Sequence, residues 1–96
     1  MKRDKVLSTL KKFEEANKKK YGIRRIGIFG SLARGTAISE SDIDVVVELE
    51  NPDLFNLIGI KQDLEDIFHS SVDILRYRDN MNEFLKRRIE NEALYV

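Results

Sequence analysis

The chain contains no cysteine, only one histidine and only one proline. Without cysteine it forms no disulfide and offers no thiolate for catalysis or metal binding. No apolar run approaches the roughly 18 residues of a membrane span, and the charged N-terminal stretch lacks the apolar core of a signal peptide. These absences exclude a disulfide-stabilised secreted scaffold and an integral membrane protein. We therefore expect a cytoplasmic location.

The sequence also lacks an excess of positive or negative charge. Lys+Arg and Asp+Glu number 17 each, so the formal net charge is zero. Such a balance gives no bulk attraction to nucleic acid or to an anionic membrane, and it favours association with another protein. The 96 residues, 42% of them hydrophobic and 35% charged, suffice for one hydrophobic core. We expect a single domain over residues 1–96 and no direct nucleic-acid binding.

The hydrophobic spacing predicts seven elements in the order α-β-α-β-α-β-α. Helices are predicted over about residues 2–20, 52–69 and 81–94, with a short one after Gly30, and strands over residues 25–29, 42–47 and 71–75. This order implies an α/β (α+β) fold, with a small three-stranded mixed sheet and helices packed mainly on one face. The other face would remain open as a cleft.

Several local details can be predicted for the two later helices. Asn51 is expected to cap the helix that starts near Pro52, and Asp79 or Asn80 to cap the last one. Gly59 costs roughly 1 kcal/mol against alanine in a helix interior, so it indicates close packing on the sheet. The expected buried residues are Leu54, Leu57, Ile58, Leu64, Ile67 and Phe68, then Met81, Phe84, Leu85, Ile89 and Leu94.

The stretch from Gly30 to Asp44 carries the chemistry. Gly30 ends an apolar strand, and Ser31 can cap the following turn of helix, whose free N–H groups suit an anion. Side chains alternate along a strand, so Asp42 and Asp44 share one face. Two neighbouring carboxylates repel each other, and a divalent cation is their natural counter-charge. Arg34 lies three positions after Ser31 and either contacts phosphate or pairs with Glu40 or Asp42.

The pattern Gly30-Ser31, ten intervening residues, then Asp42-x-Asp44 resembles the nucleotidyltransferase superfamily related to DNA polymerase β. With Ala33-Arg34-Gly35 it resembles the minimal nucleotidyltransferase (MNT) branch, over roughly residues 23–75. The resemblance implies the polymerase β-like core as the fold.

The same resemblance assigns roles to individual residues. Asp42 and Asp44 would hold two Mg²⁺ ions, roughly 3.5–4 Å apart, together with the triphosphate of ATP. Gly30 and Ser31 would hold the β- and γ-phosphates. Asp73 matches a third family carboxylate that completes one metal site and assists deprotonation of the acceptor. Judged from the residues alone, Asp73 could instead pair with Arg76 or Arg78.

The resemblance also implies a function. Small MNT proteins resemble antitoxins whose partner is a HEPN ribonuclease toxin, and the implied reaction transfers AMP from ATP to a tyrosine of that toxin. We expect no second domain that grips an acceptor, and this expectation favours a macromolecular substrate or a partner that completes the site. The competing hypothesis is a non-catalytic antitoxin that acts by occupancy. Transfer to a small molecule such as an aminoglycoside is a third.

Overall fold

A computed structural model describes residues 2–35 and 43–96. In these ranges four helices alternate with four strands, in the order α-β-α-β-α-β-α-β. The bounds are α1 (Arg3–Tyr21), β1 (Ile23–Phe29), α2 (Gly30–Arg34), β2 (Ile43–Leu49), α3 (Leu54–Phe68), β3 (Val72–Arg76), α4 (Glu83–Glu92) and β4 (Leu94–Tyr95). The predicted order of the first seven elements is confirmed. None of the described helices has the length and apolar character needed to span a membrane.

The strands form one mixed sheet in the order β3-β2-β1-β4. Strand β1 is antiparallel to β2 and β4, whereas β2 and β3 are parallel. The predicted mixed sheet is confirmed, with four strands instead of three. The additional strand starts at Leu94, which the sequence had assigned to the last helix; Ala93 ends that helix in an extended conformation. Strand β4 approaches β1 closely at Gly27, where a Cβ would collide with the backbone of Leu94.

The main core lies between one face of the sheet and the two long helices, α1 and α3. Alternate residues of β2 point into it, namely Ile43, Val45 and Val47, all of them buried. The helices contribute apolar residues at i, i+4 spacing, which places them on one side of each helix. These residues are Val6 and Leu10 with Phe13 from α1, and Ile60, Leu64 and Phe68 from α3.

Helix α4 packs on the opposite face of the sheet. Its buried Ile89 joins Val46 of β2 and Tyr77 in a second, smaller apolar cluster. The face that the sequence predicts to be open is therefore partly covered. Asp44 lies on this face, two residues before Val46, and is half-buried; its ladder partner Phe29 packs against the cluster.

The helix caps differ from the predicted ones. Asp53, not Asn51, caps α3 and accepts a hydrogen bond from the Phe55 N–H at 2.8 Å. Asn82, not Asp79 or Asn80, caps α4 by accepting hydrogen bonds from the first-turn N–H groups. Each predicted cap lies close to a second Asx residue of similar capping preference. Sequence preference alone could not distinguish between such neighbours.

Several predicted core residues are wrong. The buried side of α3 is centred on Ile60, so Leu54, Ile58 and Ile67 lie beside it and are exposed. In α4 only Ile89 is buried, and Phe84 is 82% exposed. Both errors have one cause: these helices carry more apolar residues than the narrow contact with a small sheet can cover.

Gly59 marks close packing, as predicted, but its neighbour is Tyr21 of α1 rather than the sheet. A Cβ at position 59 would lie 2.9 Å from Cε1 of Tyr21. The Tyr21 hydroxyl donates a hydrogen bond of 2.5 Å to Oδ2 of Asp63, one turn further along α3. Burial, helped by this carboxylate, raises the pKa of Tyr21 to about 12. The tyrosine thus joins the end of α1 to the middle of α3.

We expect Gly59→Ala to lower the free energy of unfolding by about 1–3 kcal/mol, the usual cost of overpacking. The sign of this change is informative. In an uncrowded helix interior alanine is favoured over glycine by about 1 kcal/mol, so the same substitution would raise the stability. Chemical denaturation followed by circular dichroism measures the change. In a Tyr21→Leu background the crowding is gone and the same substitution should become neutral or stabilising. An equal loss of stability in both backgrounds would contradict the steric explanation.

Candidate active site

The site is built where β1 ends and β2 begins. Phe29, the last residue of β1, is paired with Asp44 of β2 in the antiparallel ladder. Gly30 follows with φ at +74°, in the left-handed region that disfavours residues with a Cβ. A Cβ at Gly30 would collide with the Asp44 carboxylate. Glycine is therefore required at position 30 for two reasons: the backbone turns there with positive φ, and it passes close to the Asp44 carboxylate.

Ser31 occupies the first turn of α2. The predicted capping role is wrong, because α2 begins at Gly30 and its N-cap is Phe29, which has no capping side-chain oxygen. Ser31 thus lies inside the helix, half-buried, with its own N–H among those that have no acceptor within the helix. The short helix ends at Gly35, whose N–H donates to the carbonyls of Leu32 and Ser31.

Asp73 lies next to Asp44. The two residues are directly paired in the parallel register of β2 and β3. Neighbouring strands are about 4.8 Å apart, and laterally paired residues point to the same face. Asp44 is half-buried and Asp73 exposed, so the carboxylates lie side by side at an accessible edge of the face. The register thus places Asp73 beside one of the two acids to which the resemblance assigns the metal.

Two of the three predicted metal-ligating acids can be placed. Asp42 lies outside the described residues. Among residues 2–35 and 43–96, no group of three His, Cys, Asp or Glu side chains is arranged to hold a metal ion. Asp44 and Asp73 nevertheless fit a divalent cation, since paired carboxylates supply the oxygen ligands that Mg²⁺ takes and need a counter-charge.

Two arginines border the site on its helical side. Nη1 of Arg34, at the end of α2, lies 3.5 Å from Oε2 of Glu92 in α4. Nη2 of Arg88, one turn earlier in α4, lies 3.8 Å from the same oxygen. The sequence indicated Arg34 but neither Arg88 nor Glu92, because their proximity depends on how α4 docks across the sheet. The partners considered for Arg34, Glu40 and Asp42, lie outside the described residues.

An apolar rim adjoins Asp73 on the other side. A shallow cavity of about 350 Å³ lies between β3 and the start of α3 and includes Asp73 in its lining. Leu54, which also lines it, and the next residue in the chain, Phe55, are 67% and 80% exposed. Exposed apolar side chains grouped in this way mark interaction surfaces more often than scattered ones do. The remaining lining residues are Leu57, Ile58, Lys61, Ile74 and Arg76.

Comparison with known proteins agrees with this geometry. The family model described as "Nucleotidyltransferase domain" matches residues 10–96. A Methanocaldococcus jannaschii protein described as a candidate protein adenylyltransferase is 42% identical over 78 residues, covering 80% of this chain and 83% of that protein. The protein adenylyltransferase MntA of Thermococcus cleftensis is 29% identical over 94 residues, covering 97% and 94%.

Two solved structures are similar as well. A candidate minimal nucleotidyltransferase is 33% identical, with a TM-score of 0.73 and coverage of 92% of this chain and 93% of that one. The second structure contains a tri-AMPylated HEPN toxin of Shewanella oneidensis in complex with an MNT antitoxin. It is 19% identical, with a TM-score of 0.70, and the match covers 97% of this chain and 70% of that one. The family match over most of the chain, together with the glycine turn and the paired acids, establishes that the chain belongs to the nucleotidyltransferase domain family.

Proposed function

We propose that the chain transfers AMP from ATP to a tyrosine hydroxyl of a HEPN-type toxin, with magnesium, and so acts as the antitoxin of that partner. The observation that carries the proposal is the contact between Gly30 and Asp44, with Asp73 paired in register beside it. It brings the glycine turn against one of two carboxylates that are paired side by side on the sheet. Similarity to proteins named protein adenylyltransferase supports AMP as the transferred group.

The reaction assigns a separate task to each described residue. The acceptor oxygen forms a bond to the α-phosphorus of ATP, the bond to the bridging oxygen breaks, and pyrophosphate leaves. Gly30 allows close approach of the backbone, and the Ser31 hydroxyl with nearby backbone N–H groups binds the leaving phosphates. The Asp73 carboxylate, exposed at the edge of the face, accepts the proton of the acceptor hydroxyl.

Asp44 and Asp73 would hold the magnesium together with Asp42. When bound, the metal stabilises negative charge on the attacking and leaving oxygens. The contribution of the chain is to hold the metal-ligating carboxylates in fixed positions. Asp44 is held by the β1–β2 ladder and Asp73 by the β2–β3 ladder, so the rigid sheet fixes the separation of the two carboxylates.

The apolar rim beside Asp73 supports a protein as the acceptor. Leu54 and Phe55 would be covered by a protein surface, whereas a small polar acceptor such as an aminoglycoside offers nothing apolar to cover them. The structural neighbour that contains an AMPylated HEPN toxin with its MNT antitoxin points to the same class of partner.

We expect Asp44→Asn to lower the rate of AMP transfer at least about a hundredfold. Metal-held charge stabilisation accounts for several kcal/mol, and about 1.4 kcal/mol corresponds to a factor of ten. The assay uses ATP labelled at the α-phosphate, Mg²⁺ and a HEPN-type protein co-purified with the chain, with transfer followed on gels and the modified tyrosine located by mass spectrometry. Asp73→Asn should lose activity as well.

Asp66→Asn provides a control, because Asp66 is exposed and lies beside Phe13 and Asn17 of α1, whereas the cavity at Asp73 is lined by other residues of α3. Its activity should match that of the unaltered chain. If Asp44→Asn abolishes labelling but neutralises the toxin undiminished, the protein acts by occupancy and the enzymatic proposal fails as an account of its antitoxin function.

Gly30 and Gly35 offer a second, matched comparison. Both have positive φ, +74° and +76°, at opposite ends of α2. A Cβ at Gly35 would meet the Arg3 guanidinium at an ordinary 3.6 Å, whereas one at Gly30 would collide with the Asp44 carboxylate. We expect Gly30→Ala to reduce transfer at least about tenfold more than Gly35→Ala, because only its Cβ displaces the Asp44 carboxylate, while backbone strain costs each variant about 1 kcal/mol of stability. Transfer rates and thermal unfolding of both variants test this, and equal losses of activity would contradict it.

A further inference from the structure

Three charged side chains from two helices form a cluster beside the glycine turn, and the family pattern accounts for only one of them. Arg34 of α2 and Arg88 of α4 share a single carboxylate oxygen, Oε2 of Glu92, at 3.5 and 3.8 Å. Arg88 also lies over the ring of Phe29, with its Cζ 5.8 Å from the ring centroid. We call Arg34, Arg88 and Glu92 the arginine cluster.

Phe29 connects this cluster to the site. It immediately precedes Gly30 and is the ladder partner of Asp44. The contact with Phe29 therefore brings the Arg88 guanidinium to the part of the sheet where the paired acids begin. Buried Ile89, the next residue of α4, packs with Val46 two positions beyond Asp44 and holds the helix at that place.

The arginine cluster carries a net positive charge, since two guanidinium groups face one carboxylate. A guanidinium has five N–H donors, and one oxygen at 3.5 to 3.8 Å occupies few of them. The side chains of Arg34 and Arg88 are 45% and 61% exposed, so solvent reaches the remaining donors. Paired guanidinium groups with accessible donors bind phosphate well, because their planar forks match its oxygens.

We propose that Arg88, together with Arg34, binds the phosphates of the nucleoside triphosphate. The inference rests on the proposed function and adds a residue of α4 to the nucleotide site. The acids on the sheet then lie on one side of the triphosphate and the guanidinium groups on the other, with Glu92 holding both arginines near the turn. The packing of α4 on the sheet thus stabilises the fold and also positions Arg88 at the nucleotide site.

The test measures ATP and AMP binding to the full chain by isothermal titration in the presence of Mg²⁺. We expect Arg88→Ala to weaken ATP binding about tenfold to a hundredfold, as for loss of a charge-assisted hydrogen bond. AMP binding should change much less, because AMP lacks the β- and γ-phosphates. Arg88→Lys keeps the charge and should recover part of the affinity for ATP.

Arg87→Ala is the matched control. Arg87 is the neighbouring exposed arginine of the same helix, and removing it changes the net charge by the same amount without touching the arginine cluster. Its affinity for ATP should stay within about twofold of the unaltered chain, and thermal unfolding should show all three variants folded.

The outcomes separate the two proposals. If the unaltered chain binds and transfers AMP from ATP and Arg88→Ala does so equally well, the inference about Arg88 is overturned and the proposed function stands. Equal weakening by Arg88→Ala and Arg87→Ala, or equal weakening for ATP and AMP, also overturns it. If the unaltered chain binds no ATP, the proposed function fails together with the inference.

Discussion

The close approach of Gly30 to the Asp44 carboxylate is the constraint on which the site depends. It can exist only where β1 ends opposite the start of β2, in the register that pairs Phe29 with Asp44. That register sets the direction in which α2 leaves the sheet. The parallel pairing of β2 with β3 then brings Asp73 alongside. A one-residue slip in either ladder would turn an acid to the apolar core and lose the site.

The features that the sequence predicted well are those encoded by short-range patterns. An apolar strand ended by glycine and a second strand beginning near the paired aspartates predicted the turn at Gly30 and the strand that carries Asp44, whereas the ligand-binding roles of these residues and of Asp73 stay predictions. The features that it did not predict depend on how distant segments meet. In the sequence, Arg88 and Glu92 are an ordinary i, i+4 ion pair on a helix. Their proximity to the site becomes visible only in the fold, where Ile89 of α4 packs with Val46. Strand β4 is two residues long, too short for any periodicity to appear.

The C-terminal segment supports the sheet from two directions. Helix α4 covers Val46 on one face, and β4 extends the edge beyond β1. The Arg25 guanidinium connects these parts, because it lies between the rings of Tyr77 and Tyr95, 4.7 and 4.4 Å from their centroids, and Nε donates a 2.8 Å hydrogen bond to Glu48. One cation thus joins β1, β2, β4 and the residue that follows β3.

The distribution of charge around the site has a consequence for how ligands are selected. Asp44 and Asp73 place negative charge on the sheet, while Arg34 and Arg88 place positive charge on the helices, in a chain whose formal net charge is zero. The face therefore carries a local electric dipole. Salt at physiological strength screens the field of this dipole beyond about 8 Å. The protein does not draw ligands from a distance. A molecule already at the surface is attracted when its negative groups face the arginines and its positive groups face the acids, and it is repelled in the reverse orientation.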